Sequence, residues 1–167
     1  ATKRGLKNLK DSVSALKVWS DKKVHELFEN NNVLTKREIL ARQEIEFEKY
    51  ILRIQIEARL IEDLTQNHII PAAIEYQNRL IQNVKGLKDV LGGASTDASK
   101  VQTKLIELIS SHISKMHTAA GIMLDNRKKA NKIDDIEKRA AAYRDTVKSQ
   151  FEIIAYHANK LEKLVDD

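Results

Sequence analysis

The chain has 167 residues, of which 42% are apolar, so it can bury one hydrophobic core but not two independent ones. Five Gly and a single Pro are too few for the frequent turns of sandwiches, barrels and Rossmann-type sheets, which predicts an all-α protein. The formal net charge of +5 arises from 29 basic and 24 acidic residues interleaved along the chain, which is typical of solvated helix surfaces and gives little support to nucleic-acid binding.

The N-terminal part predicts short elements. Residues 6–31 predict one or two short helices, with Ser20 as the N-cap of the second. The run Asn30–Asn32 predicts a helix end, because Asn tolerates the left-handed conformation there. The chain begins with Ala rather than Met, so we expect a processed protein or a piece of a longer one. We expect residues 1–19 to be a helical segment or linker from an upstream region, and residues 20–167 to form a helical bundle domain.

A long helix is predicted next. Thr35 and Glu38 have the spacing of a capping box, and the helical pattern then continues without Gly or Pro to Ile70. Pro71 predicts a kink rather than a break, because the apolar pattern resumes at once and reaches Leu91. The predicted buried stripe before the proline consists of Leu40, Phe47, Ile51, Ile54, Ala58 and Ile61, widened by Leu60 and Leu64.

A loop and a third helix follow. The segment 92–96 is the predicted loop, and a helix capped by Thr96 or Asp97 is predicted to end near residues 129–131. Its predicted buried stripe consists of Val101, Leu105, Leu108, Ile109, His112, Met116, Ala119, Ala120 and Met123.

A fourth helix is predicted from about Ile133, with Asp134 and Asp135 at its positive end. Its seam positions step alternately by three and four residues, which is typical of a coiled coil, and Gln150 and His157 interrupt them. The apolar seam residues are Ile133, Ile136, Ala140, Tyr143, Val147, Ile154, Leu161 and Leu164. Together the elements predict an all-α, elongated antiparallel helical bundle with one long Pro-kinked helix.

Histidines are the obvious candidates for chemistry in a helical bundle, because di-metal bundle sites use Glu-x-x-His pairs. The five histidines are His25, His68, His112, His117 and His157. None has a carboxylate three residues before it, and His112 and His117 are too far apart around a helix to hold one ion together. The absence of Cys excludes disulfides and cysteine nucleophiles and suits a reducing cytoplasm. We therefore predict no catalytic, cofactor-binding or metal-binding residues in this chain.

No uninterrupted apolar run is long enough to span a membrane. Basic side chains are concentrated in two places along the chain. The concentrations are Lys3, Arg4, Lys7 and Lys10, and Arg127, Lys128, Lys129 and Lys132. The second is predicted to lie at a helix C-terminus, where cations complement the helix dipole. A phosphate-binding patch is the alternative, and nucleic acid is not an expected partner.

One stretch resembles a known family. The residues Asn67-His68-Ile69-Ile70-Pro71-Ala72-Ala73-Ile74-Glu75-Tyr76-Gln77 are similar to a motif near the C-terminus of type III glutamine synthetases. Further similar stretches are residues 20–23, 33–35, 44–62, 78–91 and 156–167. The resemblance implies a parent enzyme that joins ammonia to glutamate with ATP and divalent metals and assembles as stacked hexameric rings. Its catalytic ligands lie in an upstream region, so none is implied here.

Two functional hypotheses follow. The first is a non-catalytic C-terminal helical domain of such an enzyme, cytoplasmic and active in nitrogen assimilation, with a structural, inter-subunit or docking role. The upstream catalytic region of the same chain and further copies in a homo-oligomer would be its partners. The alternative is a free-standing helical adaptor that binds an acidic partner or nucleic acid, for which a steep salt dependence of affinity would be diagnostic.

Overall fold

The computed structural model describes residues 2–92 and 95–165. Within these ranges every regular element is a helix, so the all-α prediction is confirmed. The α-helices are α1 Ser12–Lys17, α2 Lys22–Asn30, α3 Lys36–Leu64, α4 Ile70–Leu91, α5 Ser95–Ala98, α6 Lys100–Ala130, α7 Ile136–Ala142 and α8 Ser149–Glu162. Two short 3-10 helices, Thr2–Arg4 and Val18–Ser20, and two π-helical turns, Thr65–Ile69 and Tyr143–Val147, complete the described elements.

Ser20 does not cap α2, contrary to the sequence prediction. The N-cap position is Asp21, whose side chain makes no capping hydrogen bond, while the Ser20 hydroxyl donates to Gln43 Oε1 at 2.8 Å. The other end of the Gln43 amide, Nε2, donates to the carbonyl of Leu16 at 2.8 Å. Gln43 is buried on α3, and a buried amide requires partners. The Ser20 hydroxyl therefore bonds the buried Gln43 amide instead of capping α2.

The predicted signals between α2 and α3 are confirmed. Helix α2 ends at Asn30, and Asn32 adopts a left-handed φ of 50°. At the start of α3 the Thr35 backbone N–H and hydroxyl both donate to Glu38 Oε2, at 2.8 and 2.7 Å. The Glu38 N–H donates back to Thr35 Oγ1 at 3.4 Å, which completes the capping box.

Pro71 lies inside a helix that is continuous for 56 residues, from Lys36 to Leu91. The π-helical turn Thr65–Ile69 comes directly before it, and the Ile70 N–H donates to the Thr65 carbonyl. Such a widened turn is a common adjustment where proline removes a donor from a helix. The prediction that Pro71 sits in a helix and not in a loop is confirmed. The kink and the elongated antiparallel arrangement stay predictions.

The buried stripe of α3 differs from the predicted one at both ends. Leu40 is exposed and its neighbour Ile39 is fully buried, and Leu60 and Leu64 are exposed instead of widening the stripe. The buried residues from α3 to the π-helical turn are Ile39, Gln43, Phe47, Ile51, Ile54, Ala58 and Thr65. The sequence prediction was misled because α3 carries apolar residues on more than one face, and periodicity alone does not show which face is covered.

Between α4 and α6 the predicted loop is only partly described. Gly92 follows α4 with φ 57°, as expected of a glycine that ends a helix, and its N–H donates to the Lys88 carbonyl. Gly93, Ala94 and the capping side chain of Thr96 lie outside what the structure describes. The third long helix, α6, begins at Lys100 and not at residues 96–97, because Ser95–Ala98 forms a separate turn, and it ends at Ala130 as predicted.

The stripe of α6 is buried only from Ile109 onward. Val101 is 68% exposed and Leu108 is 39% exposed, so their predicted burial is wrong. The buried members are Ile109, Met116, Ala119, Ala120 and Met123. The stripe is periodic along the whole helix, but periodicity does not encode how far the covering helices extend.

The predicted fourth helix is confirmed as α7, a π-helical turn and α8. It begins at Ile136, three residues later than predicted, because Asp135 is the N-cap and accepts from the Lys138 N–H at 2.8 Å. The seam is confirmed as the buried line of this segment. Its buried members are Ala140, Tyr143, Val147, Ile154, His157 and Leu161, whereas the predicted seam residues Ile133, Ile136 and Leu164 are half-buried.

The chain divides into two compact units, each of which draws on distant parts of the sequence. The first comprises Ala1–Glu57 with Asn126–Lys148, and the second comprises Ala58–Asp125 with Ser149–Asp167. In the first, Lys17 of α1 and Glu137 of α7 form an ion pair of 2.6 Å. In the second, Gln77 Nε2 of α4 donates to the Ile106 carbonyl of α6 at 3.0 Å. The domain boundary expected between residues 19 and 20 stays a prediction.

Candidate functional site

In the described ranges 2–92 and 95–165, no three His, Asp or Glu side chains come together as a potential metal site. Among the same residues, no helix is long and apolar enough to cross a membrane. The polar clusters that exist are small, and each joins two or three helices.

The main cluster in the second unit is a pair of histidines on α6 and α8. His112 Nδ1 and His157 Nδ1 lie 2.8 Å apart, so one imidazole donates and the other accepts. His157 is buried at its seam position, and the edge of Tyr156 lies against its ring at 5.1 Å. The sequence identified His157 as a polar interruption of the seam, but it did not predict that His112 would be its partner.

The pKa values of both imidazoles are lowered from 6.5. Burial is the main cause at each site, because desolvation disfavours the charged ring. At His112 the positive charges of Lys115 and Lys160 add to this, and at His157 the neighbouring His112 and Lys115 do so. The same lysine charges oppose a divalent cation at the pair. The hydrogen bond between the two rings links α6 to α8.

The remaining histidines lie apart from this pair. His117 Nδ1 lies 3.2 Å from Gln66 Nε2, whereas His112 contacts His157. His68 is exposed, with Nε2 4.0 Å from an Asp63 carboxylate oxygen. His25 is buried on α2. The predicted separation of His112 and His117 is thus confirmed.

An ion-pair cluster in the first unit attaches α1 to the π-helical turn after α7. Arg144 Nη1 donates to Asp11 Oδ1 at 2.9 Å, and Arg144 Nε and Nη2 donate to the Asp145 carboxylate at 2.7 and 3.0 Å. Asp11 also caps α1, accepting from the Ser14 N–H at 2.9 Å and from its hydroxyl at 2.7 Å. These hydrogen bonds from Ser14, followed by Arg144, lower the pKa of Asp11 from 3.8 to about 2.

A third cluster joins α3 to the residues that follow α6. Tyr143 is fully buried, and its hydroxyl donates to Asn131 Oδ1 at 2.5 Å. Gln55 Nε2 donates to the same Asn131 oxygen at 2.9 Å and to the Tyr143 hydroxyl at 2.8 Å. Sequence reasoning treated Tyr143 as an apolar seam residue and missed this network and the Arg144 cluster. A tyrosine at a seam position was the one signal available, because a buried hydroxyl needs a partner.

The two basic concentrations differ in their surroundings. Arg127, Lys128 and Lys129 occupy the last turn of α6, as predicted for cations that complement a helix C-terminus. Near the N-terminus, Lys7 forms an ion pair with Asp21. Lys10 lines a cleft of about 390 Å³ together with Arg144 and further residues, but the Arg144 guanidinium is already bound to Asp11 and Asp145.

Apolar surface is open to solvent in both units. In the second unit a groove of about 410 Å³ is lined by Ile69, Ala72, Ala73, Ala158, Asn159, Leu161, Glu162 and Val165. In the first unit, Ile45, Leu52 and Ile56 of α3 are exposed by 48, 55 and 57%. We call these three residues the outer stripe of α3.

Comparison with known proteins identifies the family of the chain. The family model described as "Glutamine synthetase C-terminal domain" matches residues 1–88. The chain belongs to this family. The match covers α1 to most of α4, including the segment around Pro71 that carries the resemblance seen in the sequence.

Glutamine synthetases are also its relatives over the remaining helices. A glutamine synthetase of Bacteroides fragilis is 33% identical over 168 residues, which covers this whole chain and 23% of the relative. A glutamine synthetase of Butyrivibrio fibrisolvens is 25% identical with the same coverage. A type-3 glutamine synthetase of Dictyostelium discoideum is 36% identical over 87 residues, which is 52% of this chain and 12% of the relative. The chain thus spans less than a quarter of the length of these relatives.

Proposed function

We propose that the chain serves as a non-catalytic, structural C-terminal domain of a type III glutamine synthetase. Its role is to pack against the upstream catalytic region and to support contacts between subunits or with a docking partner. The observation that carries the proposal is the alignment of the whole chain with only 23% of a glutamine synthetase. The parent enzyme would ligate ammonia to glutamate with ATP and a divalent metal, in the cytoplasm and as a homo-oligomer, for nitrogen assimilation.

The internal use of polar side chains supports a structural role. Arg144 bonds Asp11 and Asp145, and His112 bonds His157. An active site needs the reverse arrangement, in which such groups converge on a space left for the substrate. Within the described ranges no such group of His, Asp and Glu converges to hold a metal. Binding of a magnesium nucleotide requires carboxylates that hold the metal and a cradle of backbone amides that holds the phosphates.

Calorimetric titration tests the non-catalytic half of the proposal. We expect no saturable heat when magnesium-ATP, with or without glutamate, is added to the 167-residue chain. A site with micromolar affinity would contradict the proposal. The structural half is tested by removing residues 20–167 from the parent enzyme, which should impair its assembly or its resistance to heat.

A further inference from the structure

Helix α3 carries apolar residues on two opposite sides. At about 100° per residue, Ile45, Leu52 and Ile56 project within about 40° of one another. The buried residues Phe47, Ile51 and Ile54 project from the opposite side of the same helix. One side of α3 therefore packs into the first unit, and the outer stripe faces away from that packing.

The outer stripe is more than a scatter of exposed side chains. Single exposed leucines are common on protein surfaces, but here three large residues lie on one side of one helix, with Leu52 and Ile56 one turn apart and Ile45 two turns before Leu52. Beside the stripe, Ile45 lines a hollow of about 390 Å³ together with Trp19, Arg42, Glu46 and Lys49. Exposed apolar residues that are grouped on one helix face in this way are typical of a contact area.

The charged residues beside the outer stripe indicate the charge of the surface that it binds. Arg42, Lys49 and Arg53 all project within about 80° of the stripe on the same flank of α3. Lys49 is paired with Glu46 at 2.7 Å. The flank is thus predominantly basic, and its complement is an apolar surface with an acidic rim.

A second copy of this chain fits that description poorly. In an antiparallel pairing of two α3 helices each flank meets itself, so Arg42, Lys49 and Arg53 would face the same three cations. In a parallel pairing the basic flank would meet the opposite flank, where Arg59 projects about 40° and Glu48 about 60° from the stripe, so the facing charges would be mixed and not complementary. Charge complementarity therefore favours a different surface.

We propose that the outer stripe of α3 docks onto an apolar, acidic-rimmed surface of the upstream region of the same parent polypeptide. The inference rests on the proposed function, under which most of the parent lies outside this chain, as it does in the Bacteroides relative. Ile45, Leu52 and Ile56 supply the buried contact, and Arg42 and Arg53 select the acidic rim.

The absence of Cys from the chain allows a direct test by cysteine labelling. Ile56→Cys reports on the outer stripe, and Leu27→Cys on α2 is the matched control, since Leu27 is 61% exposed and lies off the stripe. Maleimide labelling of each site is followed by peptide mass spectrometry, in the 167-residue chain and in the parent. We expect the site at position 56 to react at least tenfold more slowly in the parent, and the site at position 27 to change far less.

Charge reversal provides the second arm. Arg42→Glu combined with Arg53→Glu should restore at least part of the labelling at position 56 in the parent, whereas Lys23→Glu with Lys36→Glu, which changes the net charge equally, should not. Equal labelling at position 56 in chain and parent would overturn the proposal. Protection in the isolated chain that increases with its concentration would instead identify a second copy as the occupant. Free labelling in a parent whose assembly still requires residues 20–167 refutes this inference alone and leaves the proposed function standing.

Discussion

The contact between Asp11 and Arg144 should contribute measurably to folding stability. Asp11 acts both as the N-cap of α1 and as the anion that receives Arg144 Nη1 at 2.9 Å. The two roles can be separated by substitution. Asp11→Asn keeps a good N-cap and removes the charge, whereas Asp11→Ala removes both.

The magnitude follows from the pKa. Since one pKa unit corresponds to about 1.4 kcal/mol, lowering the pKa of Asp11 from 3.8 to about 2 corresponds to about 2.5 kcal/mol, for which the Ser14 hydrogen bonds are the largest cause and Arg144 a smaller one. The Asp11 side chain is 33% exposed, so solvent screening reduces this to about 1 kcal/mol for the charge. Loss of an N-cap costs about 1 kcal/mol more. We expect a loss of about 1 kcal/mol in the free energy of unfolding for Asp11→Asn and about 2 kcal/mol for Asp11→Ala.

Urea unfolding followed by circular dichroism at several pH values measures both effects. The folded-state pKa of Asp11 is depressed, so its charge stabilises the native state above the ordinary value of 3.8 and this stabilisation disappears as the pH falls toward about 2. The difference between the wild type and Asp11→Asn should therefore be full at pH 6 and shrink below about pH 4. A variant as stable as the wild type at pH 6, or a difference that does not change with pH, would refute the reasoning.

Three further perturbations have expected outcomes in the same unfolding assay. Met116→Ala should cost about 2–5 kcal/mol because the side chain is fully buried, while the exposed Leu27→Ala should stay within about 0.5 kcal/mol; equal losses would contradict the assigned core. Tyr143→Phe should cost about 1–2 kcal/mol by removing the hydroxyl that bonds Asn131 and Gln55, and an unchanged midpoint would contradict that network. The pKa values of His112 and His157 are lowered, so the unfolded chain binds protons before the folded chain does as the pH falls below 6.5. The free energy of unfolding should therefore decrease below pH 6.5, and it should decrease less in His157→Gln. An identical pH dependence in that variant would exclude the pair as the cause.

Local features of the fold were accessible from the sequence because a few neighbouring residues determine them. The Thr35–Glu38 capping box, the left-handed Asn32 and the end of α6 at Ala130 each depend on side chains within one or two turns. The seam from Ala140 to Leu161 was also predictable, since strict spacing of apolar residues leaves one choice of buried face.

Features that depend on distant partners were not accessible in this way. Arg144 lies 133 positions from Asp11 in the sequence, and Gln55 lies 88 positions from Tyr143, so no local pattern predicts either contact. Leu60 is exposed while Ile54 and Ala58 are buried because the covering helices select one of two apolar faces of α3. The His112–His157 contact has the same origin, because each residue was recognisable as a polar member of an apolar stripe but its partner was not.

The most direct test of a structural rather than catalytic role is removal of residues 20–167 from the parent enzyme. The truncated and complete parents are compared by size-exclusion chromatography, by residual activity after heating, and by glutamine formation at low temperature. The proposed function predicts smaller or less heat-resistant assemblies, with any lost activity following the loss of assembly because every chemical group of the active site remains. A truncated enzyme that is fully assembled, fully active and equally resistant to heat would contradict it.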